Sequence, residues 1–404
     1  MEQQTFPIPG DFSSKLRNVP SLDNRSDEEI LKSLDQYQPV VTEKNVWAFW
    51  HAGLMSMPSW CKRNVINWAR LNGKDWTIRI LDHVDGSPNN VLHYLPEDMI
   101  PPVFLKREMT GPFVGQHSAD LIRGACLFVH GGIWLDVGNI LFRRLDRICW
   151  DSLEDPSTPF EMSVMHMGGS SGTGISNHFI AARKNSPFKK RWHDLFAYLW
   201  EGRTNCTGLS KSPLLAPVLH GSGTFHGDEE TDRWGWEHVY SPEAIQDYGT
   251  QILAWQRVIM LDDPKTGFSG VDYYTQKILL LDILDESWRA EVIIGWRGHQ
   301  LFDVLATRLD APKDSEEYQS AMKAVMTLLA DSSLQKIYRG KEMMKYPALG
   351  TLWDEKENED KDHEPGTFAE LLRYGSVHFE QTRGILYVEN PRPPTVLKKG
   401  LLEV

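Results

Sequence analysis

Residues 118–146 read SADLIRGACLFVHGGIWLDVGNILFRRLD and contain the pattern that decides the fold class. The apolar spacing from Ser118 to about Val129 predicts a helix that ends at a pair of glycines. The following IWLDV predicts a strand that stops at Gly138, and the glycine pair lets the helix and the strand lie close together. Asp136 then falls at the carboxyl end of the strand, where ligands bind in open α/β sheets. We therefore expect an α/β fold with a ligand site near Asp136.

The sequence before this stretch predicts the first β-α-β unit of a parallel sheet. NVWAFW, residues 45–50, is a short apolar run suited to a buried strand, and WTIRILD, residues 76–82, is a second one. Residues 59–73 between them have apolar side chains at helical spacing, with Ser59 as N-cap and Gly73 just past the last turn. A helix between two strands is typical of a parallel sheet.

The composition excludes several classes of protein. Among the 404 residues 41% are hydrophobic and 24% are charged, as in ordinary globular proteins. The net charge of -12 argues against a nucleic-acid partner, because phosphate backbones bind basic surfaces. The four cysteines lack the C-x-x-C spacing of zinc sites, so we expect them to be reduced. No apolar segment has the length of a signal peptide core or a transmembrane helix, which predicts a cytoplasmic protein.

Three charged side chains of the opening stretch are candidates for chemistry. Asp120 and Arg123 are three residues apart, so they share one face at the N-terminal turn of the predicted helix and offer a ligand both signs of charge. The alternative is a surface ion pair. Asp136 is suited to holding a divalent cation that bridges two phosphates, and its alternative is capping a turn before Gly138. Spacing alone leaves these alternatives open.

The order S-A-D-L-I-R, then G-G-I-W-L-D, then a strand ending in R-R-L-D resembles the sugar-binding region that contains the DxD motif of a glycosyltransferase family. This family of retaining enzymes includes the initiating mannosyltransferases and, with closer similarity, the capsular-polysaccharide-synthesis-like proteins. The resemblance is specific in order and spacing over residues 118–146, and a weaker similarity covers residues 44–290.

The resemblance implies roles for residues along the whole chain. Catalysis would fall to Asp120, Arg123 and Asp136, with the D-x-x-R pair contacting the donor sugar. The alternatives are core packing for the tryptophans and turn capping for the polar residues of the second strand end and the Asn177 segment. The residues expected to bind substrate are Trp50, Trp47, Asp82, Ser118, Gly132, Asn177, Asp272 and Tyr273, the last two on the acceptor side.

The DxD position departs from the family pattern. It reads Asp136-Val137-Gly138, so the second carboxylate is missing. The resemblance implies a divalent metal, manganese or magnesium, but a single carboxylate would need water, the diphosphate and a later ligand such as His378. Both metal dependence and its absence stay open.

The family resemblance also implies the architecture. We expect a GT-A-like, Rossmann-type central mixed sheet flanked by helices, with an N-terminal extension and helical C-terminal additions. The extension would cover residues 1–44, the nucleotide-sugar-binding catalytic domain residues 45–310, and the helical part residues 311–404 with an exposed acidic loop at 354–364. Within the catalytic domain, VDYYTQKILLLDILDESW, residues 271–288, has helical periodicity, and residues 203–250 are predicted to form loops.

The function expected from these features is that of a retaining glycosyltransferase. The donor would be a UDP- or GDP-linked sugar, and the acceptor a hydroxyl of a small molecule, a lipid-linked compound or a glycan. The alternative is a protein that kept the fold and lost or changed the sugar chemistry, because a fold does not fix a function.

Overall fold

The computed structural model describes residues 5–168, 172–221, 239–341, 343–393 and 395–404. In these residues the strands are β1 Leu16–Asn18, β2 Asn45–Phe49, β3 Thr77–Leu81, β4 Gly132–Leu135, β5 Asn139–Leu141, β6 Met162–His166, β7 Ile175–Ala182, β8 Asp262–Asp263, β9 Phe268–Ser269, β10 Ile278–Asp282, β11 Leu334–Lys336, β12 Phe379–Gln381 and β13 Tyr387–Val388. The α-helices are α1 Asp27–Leu34, α2 Ser59–Asn72, α3 Pro102–Leu105, α4 Val114–His130, α5 Asp151–Glu154, α6 Pro187–Leu199, α7 Ala216–Gly221, α8 Pro242–Tyr248, α9 Thr250–Met260, α10 Gly270–Lys277, α11 Ile283–Glu286, α12 Arg289–Ile294, α13 Gly298–Ala306, α14 Glu316–Asp331, α15 Leu349–Asp354 and α16 Phe368–His378.

The described part of the chain is built on a seven-stranded mixed sheet. Its strand order is β13-β10-β6-β7-β4-β2-β3. Strands β10, β6, β4, β2 and β3 run parallel to one another, whereas β7 and β13 run antiparallel to them. The carboxyl ends of the parallel strands therefore meet at one edge, which we call the carboxyl edge, and their other ends form the amino edge. The predicted α/β class with a mixed sheet flanked by helices is confirmed.

Helices cover both faces of this sheet. Successive residues of a strand point to opposite faces, and in β2 the side chains of Val46 and Ala48 join one buried cluster while Trp47 and Phe49 join the other. Helices α2, α14 and α16 pack on the first face, and α4, α6 and α9 pack on the second. A sheet buried on both faces explains why β4 and all but the last residue of β10 lack polar side chains.

The opening stretch folds as a helix followed by a strand, with shifted bounds. Helix α4 begins at Val114, a full turn before the predicted Ser118, and β4 ends at Leu135, so Asp136 lies just after the strand. Gly131 ends the helix at φ 69°, and Gly132 has φ 106° with no room for a Cβ beside the Asn45 carbonyl oxygen. Glycine is required at this close approach.

The other predicted ends of helices are mostly correct. The S-x-x-E spacing of Ser26 and Glu29 predicts a capping box, and these residues form one at the start of α1. Ser186, which the sequence also predicts as a cap, caps α6 by accepting from the Lys189 amide. Gly73 follows α2 as predicted, but Ser59 is already helical and Pro58 is the N-cap. Proline serves there because the first amides of a helix have no carbonyl partner in any case.

Two predicted segments differ from the structure. Residues 271–288 are not one helix: α10 is followed by the strand β10 and only then by α11. The apolar run Ile278–Asp282 pairs with β6 on one side and β13 on the other, and such a short buried run is ambiguous by periodicity alone. Residues 203–250 contain α7 and α8 as well as loops, and residues 222–238 lie outside the described residues.

The terminal parts of the chain pack together. Strand β1 of the predicted extension pairs antiparallel with β12. In the acidic segment 354–364, Asp362 is buried, and Arg63 and Arg373 both donate to its carboxylate and so offset its charge. The prediction of an exposed loop is wrong for this residue, and the domain boundaries stay a prediction. No helix in the described ranges has the length and apolar character needed to cross a bilayer.

Candidate active site

Asp120 and Arg123 form a buried ion pair on the inner face of α4. The exposed fraction is 7% for Asp120 and 3% for Arg123. Arg123 Nη1 donates to Asp120 Oδ1. The pair lies in the second and third turns, not at the N-terminal turn, because α4 starts earlier than predicted. The alternative of a surface ion pair is therefore wrong.

Asn177 and Gln251 close a ring of hydrogen bonds around this pair. The Asn177 amide Nδ2 donates to Asp120 Oδ1 at 3.0 Å and to Gln251 Oε1 at 2.8 Å. Gln251 Oε1 also accepts from Arg123 Nη1 at 2.6 Å, and its Nε2 donates to the Asp120 carbonyl at 2.7 Å. Helix α4, strand β7 and helix α9 each supply part of the ring, so it fixes the guanidinium from three elements.

Asp136 lies at the carboxyl edge, directly after β4. Its Oδ1 accepts from the Trp134 indole N–H at 2.9 Å and from Arg123 Nη2 at 3.3 Å. Its Oδ2 accepts from Lys336 Nζ at 2.8 Å. Burial opposes the charge, but Lys336 and Arg123 outweigh it and hold the pKa of Asp136 far below its usual range. The carboxylate is ionised, and 28% of its side chain is exposed.

Arg123 is thus shared by two carboxylates. One edge of its guanidinium faces Asp120 and the other faces Asp136. Its Cζ atom lies over the Trp134 ring, 4.9 Å from the ring centre, which is a cation–π contact. The same tryptophan holds Asp136 through its N–H, so a single buried indole positions both charged groups.

His117 borders the ring one turn before Asp120. Its Nδ1 lies 3.4 Å from Asp120 Oδ2, and its ring packs against Trp200 and Tyr248. Burial lowers the pKa of His117, but the neighbouring Asp120 and Cys206 outweigh that effect and raise it to about 9. His117 is therefore protonated at neutral pH and adds a positive charge beside Asp120.

His178 contacts Asp136 through its backbone and links two other segments through its ring. Its carbonyl accepts from the Asp136 amide at 3.0 Å. Its ring lies between two hydroxyls, Ser176 Oγ at 2.6 Å and Ser287 Oγ at 2.7 Å. Burial first, and then the charge of Lys336, lower the pKa of His178 to about 3. The ring is neutral and serves as a fixed link between β7 and the segment after β10.

The residues around Asp136 do not fit the divalent ion that the family resemblance implies. Magnesium and manganese favour several oxygen ligands. Here one carboxylate accepts from an indole N–H and from two cationic side chains. In the ranges that the structure describes, no group of three or more His, Cys, Asp or Glu side chains is placed to hold a metal. The expected metal itself has no direct test and stays a prediction.

Trp50 and Asp82 follow β2 and β3 at the carboxyl edge, as predicted. Trp50 is half-buried, with the Arg339 guanidinium 5.1 Å from its ring centre. The Asp82 carboxylate is buried and accepts from the Val84 amide at 3.0 Å and from Ser87 Oγ at 2.5 Å. These contacts match turn capping, which is the alternative to substrate binding for Asp82.

Trp47, Ser118 and Gly132 lie inside the fold and present little or no surface to a ligand. Trp47 has no exposed surface, and its N–H donates to the Gly131 carbonyl at 2.9 Å. Ser118 is 5% exposed and donates to Met109 Sδ at 3.4 Å. Gly132 is buried against β2. In this structure they support the site through packing.

Asp272 and Tyr273 lie away from Asp136, and their role on the acceptor side stays a prediction. Both lie on α10, which leads into β10 and so lies at the amino edge. The Tyr273 hydroxyl donates to Glu161 Oε2 at 2.6 Å, and Glu161 directly precedes β6. Asp272 is exposed in the first turn of α10. The two residues are therefore separated from Asp136 by the length of the strands, because a helix before a strand meets its amino end.

His378 is likewise placed away from Asp136. It is the last residue of α16, its ring stacks on Tyr374 at 4.4 Å, and its Nδ1 lies 3.3 Å from the Val19 carbonyl of the N-terminal extension. The structure does not bring it to the Asp136 carboxylate as a shared metal ligand. A lone histidine far along the sequence carries no signal of where it packs.

Four residues of the site were not identified from the sequence: His117, Trp134, Gln251 and Lys336. His117 and Trp134 flank Asp120 and Asp136 at helix and strand spacing, so proximity to the candidates was an available signal. Gln251 directly follows the segment 203–250 that is predicted to form loops, and Lys336 is 200 residues from its partner Asp136. Only the tertiary fold brings these two side chains to the site.

Comparisons with known proteins identify the relatives of this chain. Residues 14–207 match the family model described as "Capsular polysaccharide synthesis protein". The chain is 48% identical to "Probable glycosyltransferase FCK3" of Fusarium pseudograminearum, over 99% of this chain and 100% of that protein. It is 41% identical to "O-glycosyltransferase braB" of Annulohypoxylon truncatum, over 96% and 93% of the two chains.

Among solved structures, the "PaToxG Glycosyltransferase" aligns at 15% identity over 57% of this chain and 92% of that chain. Its TM-score of 0.30 is too low to bear on the assignment. The sequence relatives are sufficient, because they share more than a third of their residues with this chain over nearly its whole length. The protein is a glycosyltransferase. More particularly, the chain belongs to the capsular-polysaccharide-synthesis-like family.

Proposed function

We propose that the protein is a retaining glycosyltransferase that moves a sugar from a nucleotide-sugar to a hydroxyl acceptor. The observation that carries the proposal is the position of Arg123, held between buried Asp120 and partly exposed Asp136 at the carboxyl edge. Open α/β sheets bind ligands at this edge. A fixed cation there suits a donor whose leaving group is a diphosphate.

The proposed chemistry uses charge that is positioned before the reaction starts. As the bond from the anomeric carbon to the diphosphate breaks, negative charge builds on the leaving group. Arg123 stabilises that charge without reorganisation, because Asp120 and Gln251 already hold its guanidinium. In this proposal the polar groups of Asp120 and Asn177 bind hydroxyls of the donor sugar.

The acceptor in this proposal is a hydroxyl of a small molecule, with a lipid-linked compound or a glycan as the other options. The name of the relative braB, an O-glycosyltransferase, supports an oxygen acceptor. The donor base, uracil or guanine, is left to experiment. Action in the cytoplasm stays a prediction.

A donor screen tests the proposal. The purified protein is mixed with UDP- and GDP-linked sugars, release of the nucleotide is followed, and NMR reads the anomeric configuration of the product. We expect turnover of one donor class with retention. Arg123→Ala should lower the rate about 100-fold or more, since removing one positioned donor to a developing charge costs that much. The matched control is Arg191→Ala on α6, where Arg191 lies over the Phe268 ring.

Folding is checked by circular dichroism, and Arg123→Lys, which keeps the charge, should retain part of the rate. Release of no sugar from any nucleotide donor would overturn the proposal. An unchanged rate in folded Arg123→Ala would overturn the role of Arg123, and inversion at the anomeric carbon would overturn only the retaining part.

A further inference from the structure

Lys336 reaches the site from the C-terminal part of the chain and is held there by its backbone. It ends β11, where it pairs with Asn139 of β5. Its amide donates to the Ser287 carbonyl at 2.9 Å, and the next amide, that of Ile337, donates to the Gly138 carbonyl at 2.7 Å. Two neighbouring segments, residues 138–139 and Ser287, therefore fix the backbone of a residue whose ammonium lies 2.8 Å from Asp136 Oδ2.

The ammonium lies at the carboxylate where a glycosyltransferase with a full DxD motif would hold its metal. The second carboxylate of that motif is replaced by Gly138. Gly138 lies so close to the Ile337 carbonyl that a Cβ would clash with it, so a longer side chain has no room there. The close approach of the segment that carries Lys336 therefore also excludes an acidic side chain at position 138.

We propose that Lys336 binds and neutralises the donor diphosphate in place of a divalent metal ion. An ammonium has three N–H donors, and the bond to Asp136 uses one of them. The side chain is 15% exposed and that of Asp136 is 28% exposed, so the pair keeps an open side at the carboxyl edge. A lysine is an established point charge for phosphate oxygens. This role rests on the proposed nucleotide-sugar donor.

The step that Lys336 assists needs no reactant other than the donor and the acceptor. The bond between the anomeric carbon and the diphosphate oxygen breaks, and its electron pair stays on the diphosphate. The acceptor oxygen bonds to the same carbon, and its proton passes to the departing diphosphate. Lys336 and Arg123 each donate to one of the two oxygens of the Asp136 carboxylate. Together they offset the negative charge that the leaving group gains.

Nucleotide binding tests the proposal without turnover. Calorimetry measures the Kd for UDP and GDP in EDTA and in manganese. For the nucleotide that binds, we expect wild-type Kd values that differ less than threefold between the two buffers. Lys336→Met should weaken binding in EDTA at least tenfold, and Lys336→Arg should restore part of it. The control is Lys277→Met, which removes a lysine paired with Glu161 at the amino edge.

Binding that improves tenfold or more with manganese in the wild type would overturn this inference and leave the proposed function standing. Unchanged binding by folded Lys336→Met in EDTA would also overturn it. If neither nucleotide binds in either buffer, the proposed donor class fails and the role of Lys336 fails with it. The wild-type comparison needs no variant, so it decides even if Lys336→Met does not fold.

Discussion

Asp120 and Asp136 both contact Arg123, but their surroundings differ. Asp120 is 7% exposed, and its contacts on α4, β7 and α9 form a closed ring with Arg123, Asn177 and Gln251. Asp136 stands in the turn after β4 with 28% of its side chain exposed. The Asp120 carboxylate fixes the Arg123 guanidinium, whereas the Asp136 carboxylate and the cations bound to it lie at the open carboxyl edge. Identical residue types therefore have different tasks.

This difference has an energetic basis. Removing one member of a buried, hydrogen-bonded ion pair leaves the other charge uncompensated, at a cost of roughly 3–5 kcal/mol. A group with access to water recovers part of that cost by hydration. Asp120 falls in the first class, while Asp136 keeps contact with solvent.

The largest effect should separate the two carboxylates. We expect Asp120→Asn to lower the free energy of unfolding by about 3 kcal/mol and to lose activity with it, because its charge is buried. Asp136→Asn should cost less stability than Asp120→Asn, because 28% of the Asp136 side chain stays in contact with solvent. In the proposed reaction it should slow turnover about 100-fold, because it loosens the two cations at the leaving group. Urea unfolding and donor turnover measure the two effects. Equal losses of stability, or normal turnover by Asp136→Asn, would remove the distinction.

A smaller effect tests the electrostatics on the Asp120 side. Because the pKa of His117 is raised to about 9 in the folded protein, the folded state binds this proton more tightly than the unfolded chain. The stabilisation is complete below about pH 6.5 and is lost as the pH rises through about 9. It is on the order of 3 kcal/mol, from 1.36 kcal/mol per pKa unit. Urea unfolding from pH 6 to 10 measures it.

The matched variants are His117→Gln, which should flatten that pH dependence, and His93→Gln, an exposed histidine whose loss should not. If the wild-type and His117→Gln curves stay parallel between pH 6.5 and 9, the charged pair of His117 and Asp120 does not contribute to folding.

The smallest effect concerns residues outside the carboxyl edge. Asp272→Ala and His378→Ala should each change turnover less than twofold, because Asp272 is exposed at the amino edge and His378 packs against the N-terminal extension. Steady-state rates with the donor found active in the screen measure this. A tenfold loss in either variant would show that the site extends beyond the ring and Asp136.

Local sequence patterns predicted the elements that have strong periodicity or clear caps. The capping box of Ser26 and Glu29, the cap Ser186 and the stop at Gly73 are side-chain and glycine effects that act within one turn. The apolar run Ile278–Asp282 was predicted wrongly, because helices and strands buried on all sides have the same composition. What distinguishes them is pairing with β6 and β13, which lie far away in sequence.

The residues of the candidate site also divide into those that local sequence brings together and those that only the tertiary fold brings together. Asp120, Arg123 and Asp136 lie within 17 consecutive positions, 120 to 136, and a helix followed by a strand brings them together through local geometry. Asn177 joins them because an antiparallel strand returns beside β4. Asp272 and Tyr273 did not, since the direction of the helix before β10 sends them to the other edge.

The sequence by itself determined the α/β class and the family and brought Asp120, Arg123 and Asp136 forward as candidates, because all of these depend on periodicity and on spacing between residues close together in the chain. The tertiary structure alone decided which of two equivalent aspartates is buried and which is open. It also decided that Lys336, 200 positions away, supplies the cation beside Asp136. Burial and long-range contacts depend on how the whole chain packs, and no local pattern contains that information.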